Sequence, residues 1–494
     1  MSLLLGGFAT ALQPANLGFI LVGTIVGVFA GAMPGLSSTV GLALVLPLTF
    51  ALDPQPALLM MVSLYMAAQY GGSITAIAIG VPGSSPALAT TFDGYPMSRG
   101  GEAGRALGIS LFASVTGGLL GAVLLMVALG PLARAALSFG PAESFGLGVL
   151  GLSIVANLVG RDPLKGMVSA LLGLLFFTVG LDVLSGSPRL TFGTTTLMDG
   201  IGLVPMLIGF FAIAEAFAAL ARDPKEDRTG AIEGRLPRPG ELLALWPAIL
   251  RGSAIGGAIG AIPGAGATIA SIVAWNEEKR ASKTPERFGS GAPEGIAAPE
   301  AANNACVGAA MIPLLALGIP GSASAAVLLG GLTVQGVRPG PLLLAEQAPL
   351  VYALYAGFFI AVLFMAGVGL LGIPVWTRVV RLPPAVLMPM VVGISLVGTF
   401  ALRGNAFDAW AALFFGALGF AMLRRGFPLV PAVLGLILGP MIETNYRRAL
   451  TLSSGSHMTF VESPICMLLL VLAVASFAAP TLRARLTRAR KTSP

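Results

Sequence analysis

Four Pro-Gly pairs stand inside apolar sequence, each followed by small or hydroxyl-bearing residues. They read PGLSST from Pro34-Gly35, PGSSP from Pro82-Gly83, PGAGAT from Pro263-Gly264 and PGSAS from Pro320-Gly321. Within a helix, Pro costs about 3 kcal/mol and Gly about 1, so four such pairs read as breaks that the chain uses. A helix that restarts after a break presents uncommitted N–H groups at its positive dipole end, a ready anion site. The carbonyls that end the preceding half-helix can take a cation. Ser37, Ser38, Thr39, Ser84, Ser85, Thr268, Ser322 and Ser324 stand where they can cap the restarted helices or face a solute. Together with the eight Pro and Gly residues, they form the candidate solute site.

Further polar groups lie in or beside apolar runs. EGIAAPEAANNACVGAA (294–310) places Glu300, Asn303 and Asn304 just before the span that leads to the fourth break. Glu300 and Asn304 are four residues apart and share a helical face. The paired amides can coordinate a solute or ion through their oxygens, or cap the helix. Glu215, in FFAIAEAFAAL, is a carboxylate near the end of an apolar span. Such an acid is a functional candidate by default, with snorkelling to the interface as its rival reading. Glu215 and Glu300 are therefore the ion-coupling candidates.

The elements that position these residues follow from composition. The chain has 494 residues, 55% hydrophobic and 10% charged, against roughly 25% charged in a soluble domain. Apolar runs of about 20 residues recur along the whole length, enough for roughly a dozen membrane-embedded segments. Ten-residue segments of alternating polarity, the mark of a membrane barrel, are absent. The expected class is an all-α polytopic membrane protein. Ordinary spans are expected around 104–129, 142–160, 166–183, 199–220, 349–373, 385–402, 406–423, 427–442 and 463–480.

The Pro-Gly pairs recur in order, Pro34 with Pro263 at a separation of 229 and Pro82 with Pro320 at 238. The added 9 positions fit the longer polar stretch 276–295. This predicts two internal repeats, each with two broken helices or re-entrant hairpins: residues 1–220 and 242–482 with their accessory helices. The polar connector 221–241 and the basic tail 483–494 lie outside them. Ser37 and Ser38 align with Gly266 and Ala267, so the copies are not equivalent. Two breaks in each of two repeats is a pattern of secondary transporters, where solute and ion bind near the midplane. The rival reading is a set of kinks that merely bend helices.

The net charge of +7 resides in loops and in the tail RARLTRARK, which argues for orientation and lipid contact rather than a nucleic-acid partner. It places the connector and C-terminus on the cytoplasmic face. One histidine, His457, and two distant cysteines, Cys306 and Cys466, make no metal spacing. A membrane-embedded enzyme would need a denser set of His, Asp or Cys, so no catalytic residues and no cofactor are expected. An organic-anion channel is the other alternative, separable by whether solute accumulates against its gradient.

Several stretches resemble the large membrane subunit of the bacterial tripartite tricarboxylate transporters. They are YGGSITAIAIGVPGS (70–84), DGYPMSRGG, RLTFG with MDGI (189–201), LIGFFAIAE (207–215), GAIPGAGATIASIVAW and EGIAAPEAANNA. The resemblance implies a permease subunit in the bacterial inner membrane that works with a small membrane subunit of about four helices and a periplasmic solute-binding protein. It also implies import of carboxylates on an ion gradient, Na+ or H+, rather than ATP. The phosphate-binding GxxxxGK[ST] loop is absent, in agreement. By the same resemblance the Pro-Gly pairs and Asn303-Asn304 carry the function.

Overall fold

A computed structural model describes residues 2–33, 35–158, 162–221, 235–372 and 384–476. Pro34, most of the connector and the basic tail lie outside the described residues. Among the described residues the protein is all-α apart from one pair of two-residue strands, Gly180–Leu181 antiparallel to Pro188–Arg189. In chain order the main helices are α1 (Ser2–Ala11), α2 (Pro14–Ala32), α3 (Ser38–Val45), α4 (Pro54–Ile79), α5 (Leu88–Arg99), α6 (Ala103–Ala136), α7 (Pro141–Leu158) and α8 (Pro163–Phe177). They continue as α9 (Leu203–Leu220), α10 (Trp246–Gly260), α11 (Gly266–Ala281), α12 (Glu294–Leu317), α13 (Ala323–Val334) and α14 (Ala348–Leu371). The last are α15 (Pro384–Arg403), α16 (Ala406–Arg424), α17 (Leu429–Leu452) and α18 (Pro464–Ser476). Pro14, Pro54, Pro141 and Pro163 begin their helices, where the missing N–H is no loss.

Among the described residues, ten helices are long and apolar enough to cross a membrane, and five shorter apolar helices accompany them. This is a multi-pass membrane protein. The segment 166–183 is not a full span: α8 holds 15 residues and gives way to the strand pair. The run at 104–129 is longer than its hydropathy implies. It is the 34-residue α6, which rises about 51 Å against a hydrocarbon core of about 30 Å. The polar stretch 276–295 is partly helical, because α11 runs on to Ala281 before a loop reaches α12.

Each break lies between two helices: α2 and α3, α4 and α5, α10 and α11, α12 and α13. Gly80 and Gly318 close α4 and α12 in the left-handed region, at φ 70° and 71°, which glycine tolerates without a Cβ clash. The contacts on either side of the breaks correspond residue by residue. A Cβ on Gly23, Gly27 or Gly31 of α2 would meet the carbonyl oxygen of Met60, Leu64 or Ala68 of α4. Gly252, Gly256 and Gly260 of α10, each 229 positions on, face the carbonyls of Ala298, Ala302 and Cys306 of α12, each 238 positions on. Small residues at this spacing let two helix backbones touch, the usual cement where lipid supplies no hydrophobic drive.

The halves interlock rather than sit side by side. α6 packs on α12, and α14 packs on α4. Likewise α17 joins α7 and α8, while α9 joins α15 and α16. The two broken helices end up at the centre: α4 is buried along its whole span and α12 over 94% of it.

Candidate functional site

The four breaks converge on one cavity of about 670 Å³. α3 contributes its first turn. Ser37 Oγ accepts from Val40 N at 3.3 Å, and Ser37 O accepts the first intrahelical bond from Gly41 N. The N–H groups of Ser38 and Thr39 lie ahead of that bond, among those a helix cannot satisfy itself. α13 repeats the arrangement. Ser322 Oγ accepts from Ala325 N at 3.1 Å and Ser322 O from Ala326 N at 2.9 Å, ahead of which stand Ala323 and Ser324. The start of α11 (Gly266, Ala267, Thr268) and the turn at Ser84–Pro86 complete the ring of helix N-termini lining the space.

Hydroxyls tie the breaks of the two halves together. Ser324 Oγ lies 2.8 Å from both Ser38 Oγ and Thr39 Oγ1. Tyr65 OH lies 2.8 Å from Ser322 Oγ, and Gln69 Nε2 donates to Ser38 Oγ at 3.4 Å. Glu215 lines the same cavity together with Phe211, one turn earlier. A π-helical segment at Gly209–Ile213 precedes Glu215, and such segments are frequent at functional sites. No Lys or Arg is among the described residues lining the cavity.

Of the candidates from sequence, Gly35, Ser37, Ser38, Thr39, Pro82, Gly83, Ser84, Ser85, Gly264, Thr268, Ser322, Ser324 and Glu215 line the cavity. Pro263, Pro320 and Gly321 stand behind the lining, where Gly321 O accepts from Gly264 N at 3.1 Å and joins the third break to the fourth. Pro34 lies outside the described residues. Glu300, Asn303 and Asn304 do not line the cavity. They are fully buried in the interior of α12, and neither amide caps the helix. Glu300 accepts from the hydroxyls of Thr90 and Ser114, the latter at 2.9 Å. Asn303 Nδ2 reaches Gln69 O at 3.5 Å, and Asn304 Nδ2 donates to Glu300 O at 3.2 Å.

Sequence reasoning passed over Tyr65 and Gln69, which sit four apart on one face of α4; that spacing of polar groups in an apolar run was the available signal. It also passed over Asp93. One oxygen of this buried carboxylate accepts from Gly289 N, Gly291 N and Ala292 N at 2.8–3.0 Å, and the other from Trp275 Nε1 at 2.8 Å. Asp93 thereby fixes the loop that feeds α12.

A second cavity, of about 730 Å³, lies at the far end of α13 between α8, α9 and α17. It is slightly larger, but its lining is mostly aliphatic and aromatic, with Asp199 and Arg338 as its charged residues. Chemistry rather than size identifies the first cavity as the candidate site.

Comparison with known proteins agrees with this architecture. Residues 17–434 match the tripartite tricarboxylate transporter TctA family. An uncharacterised 52.8 kDa protein of the TAR-I ttuC' 3' region of Agrobacterium vitis is 38% identical over 479 residues, covering 95% of this chain and 94% of that protein. A protein of the TAR-II ttuC' 3' region of the same organism is 37% identical over 215 residues, 44% of this chain and 89% of the relative. No solved structure matches. With its broken helices, its shared cavity and a match over most of its length, the chain belongs to the tripartite tricarboxylate transporter TctA family.

Proposed function

We propose that this chain is the large permease subunit of a secondary-active importer of carboxylates, driven by an ion gradient and supplied by a periplasmic solute-binding protein. The observation that carries the reading is the cavity ringed by four helix N-termini and hydroxyls, with no basic side chain among its described lining residues. N–H dipoles and hydroxyls favour an anion. Glu215 lines the same cavity, where a co-transported proton or cation can offset the charge that a carboxylate solute brings. The small membrane subunit, the inner-membrane location, the cytoplasmic C-terminus and the descent of both halves from one ancestral unit belong to the same reading. The corresponding glycine contacts at separations of 229 and 238 support the last of these.

The test is uptake in vesicles that contain this chain and its partner proteins, with solute, sodium and pH varied independently. Carboxylate should accumulate against its gradient, and Ser84→Leu should abolish uptake while insertion is unchanged. Equilibration without accumulation would make the protein a channel. Unchanged uptake in Ser84→Leu would mean that the breaks only bend helices.

A further inference from the structure

Four buried polar groups surround the junction of α4 and α12, and their hydrogen bonds do not add up. Gln69, Asn303 and Asn304 are 2% exposed or less, and each leaves its side-chain carbonyl oxygen without a partner among the described residues. Ser84 Oγ, 4% exposed and packed against the Cα of Gly72, is unpartnered too. An amide oxygen has two lone pairs and no proton to give. Buried acceptors left empty are rare, and an ion or water is the usual reason for them. Here the amide nitrogens of Gln69 and Asn303 each donate, to Ser38 Oγ and Gln69 O respectively, so the atoms left with no partner at all are oxygens.

The second observation is charge. Glu300, one turn from Asn303 and Asn304 on α12, is fully buried and accepts only from hydroxyls. No Lys or Arg among the described residues forms an ion pair with it. A buried carboxylate without a counter-charge is costly, and a cation beside it removes much of that cost. Hard cations select oxygen ligands, and transporters place sodium near the midplane beside broken helices. Gln69 and Ser84 line the solute cavity, Gln69 touches Asn303, and Asn303 lies next to the turn that carries Glu300.

We propose that the side-chain oxygens of Gln69, Asn303 and Ser84 bind a sodium ion beside the solute cavity, with Glu300 as its nearby counter-charge. This rests on the carboxylate-importer reading and names the coupling ion. The 238-position counterparts of Gln69 and Asn303 are Val307 and Tyr65, which cannot supply a matching amide pair. The chain therefore carries one such site, not two.

The test uses the full chain purified in lipid nanodiscs, with its thermal midpoint followed as sodium replaces choline at constant ionic strength. The midpoint should rise with sodium and saturate. Asn303→Leu and Gln69→Leu should weaken the apparent sodium affinity by about tenfold or more, as expected for loss of a ligand to a charge, while Asn303→Asp retains the response. Should a leucine variant fail to fold, Asn303→Ala and Gln69→Ala take its place. A wild type indifferent to sodium, or amide variants that respond like wild type, overturns the site. Vesicle uptake separates the two claims. Carboxylate accumulation on a proton gradient alone overturns the sodium site and leaves the importer. Sodium stabilisation without uptake of any carboxylate supports the site and overturns the importer.

Discussion

At the scale of single residues, the polar side chains in this apolar chain divide into those that fix backbone and those that line the cavity. Asp93 is of the first kind. Its carboxylate satisfies four donors on residues 275–292, so Asp93→Ala would strand all four in the interior. The expected loss is about 3 kcal/mol or more, since a bond to a charged group contributes about 1.5–3. Thermal unfolding and protease sensitivity of the loop at 282–293 measure it; a midpoint unchanged from wild type would contradict the assignment. The sequence announced the breaks and their hydroxyls because Pro-Gly in an apolar run is a local signal. It concealed Asp93 and Tyr65 because their partners lie some 180–260 positions away, and Gln69 because its partner Ser38 lies on another helix; periodicity carries no record of either. In sequence, Asn303 and Asn304 read equally as caps at a helix start or as ligands for a solute or ion. The alanines around them instead let α12 begin nine residues earlier and carry both amides into the interior.

At the scale of elements, the broken helices are held by backbone-to-backbone contact at glycines. Gly27→Leu and Gly256→Leu should do comparable damage, about 3 kcal/mol each, because each forces a side chain into a carbonyl of the neighbouring helix. Comparing the thermal midpoints of both variants checks this, and a strong effect in one half with none in the other would contradict the correspondence of the halves. The strand pair after α8 is held differently, by charge. Asp182 lies within a network of Arg189, Glu443 and Arg447, at 2.8–3.1 Å. The backbone N–H and hydroxyl of Ser185, helped by Leu184 N–H and Arg447, hold the Asp182 carboxyl well below the usual carboxylate range. A depressed carboxyl stabilises the fold above its unfolded value of about 3.9, and that contribution is lost as pH falls through the folded value. Hydrogen exchange across residues 180–200 should therefore stay slow at pH 5 and quicken only below about pH 4. Quickening between pH 7 and 5 would contradict the network. This region read as the end of a span in sequence, since its stabilising partners lie on α17.

At the scale of the whole molecule, interlocking places two restarted helices from each half around one cavity, a property no single stretch of sequence displays. Hydropathy revealed the class and nearly all the spans; it could not reveal that α6 and α14 exchange sides. In the function proposed above, that cavity is an anion site built from backbone. Arg99 and Arg338 are exposed and stand outside the lining, so neither can form a salt bridge to a solute within it. Solute affinity of the purified membrane complex, measured with and without sodium at two pH values beside Arg99→Ala and Arg338→Ala, tests this most directly. Affinity should fall sharply when the coupling cation is withdrawn and stay close to wild type in both arginine variants. Affinity that ignores sodium and pH but collapses in one arginine variant would show that a salt bridge holds the solute, contrary to the account given above.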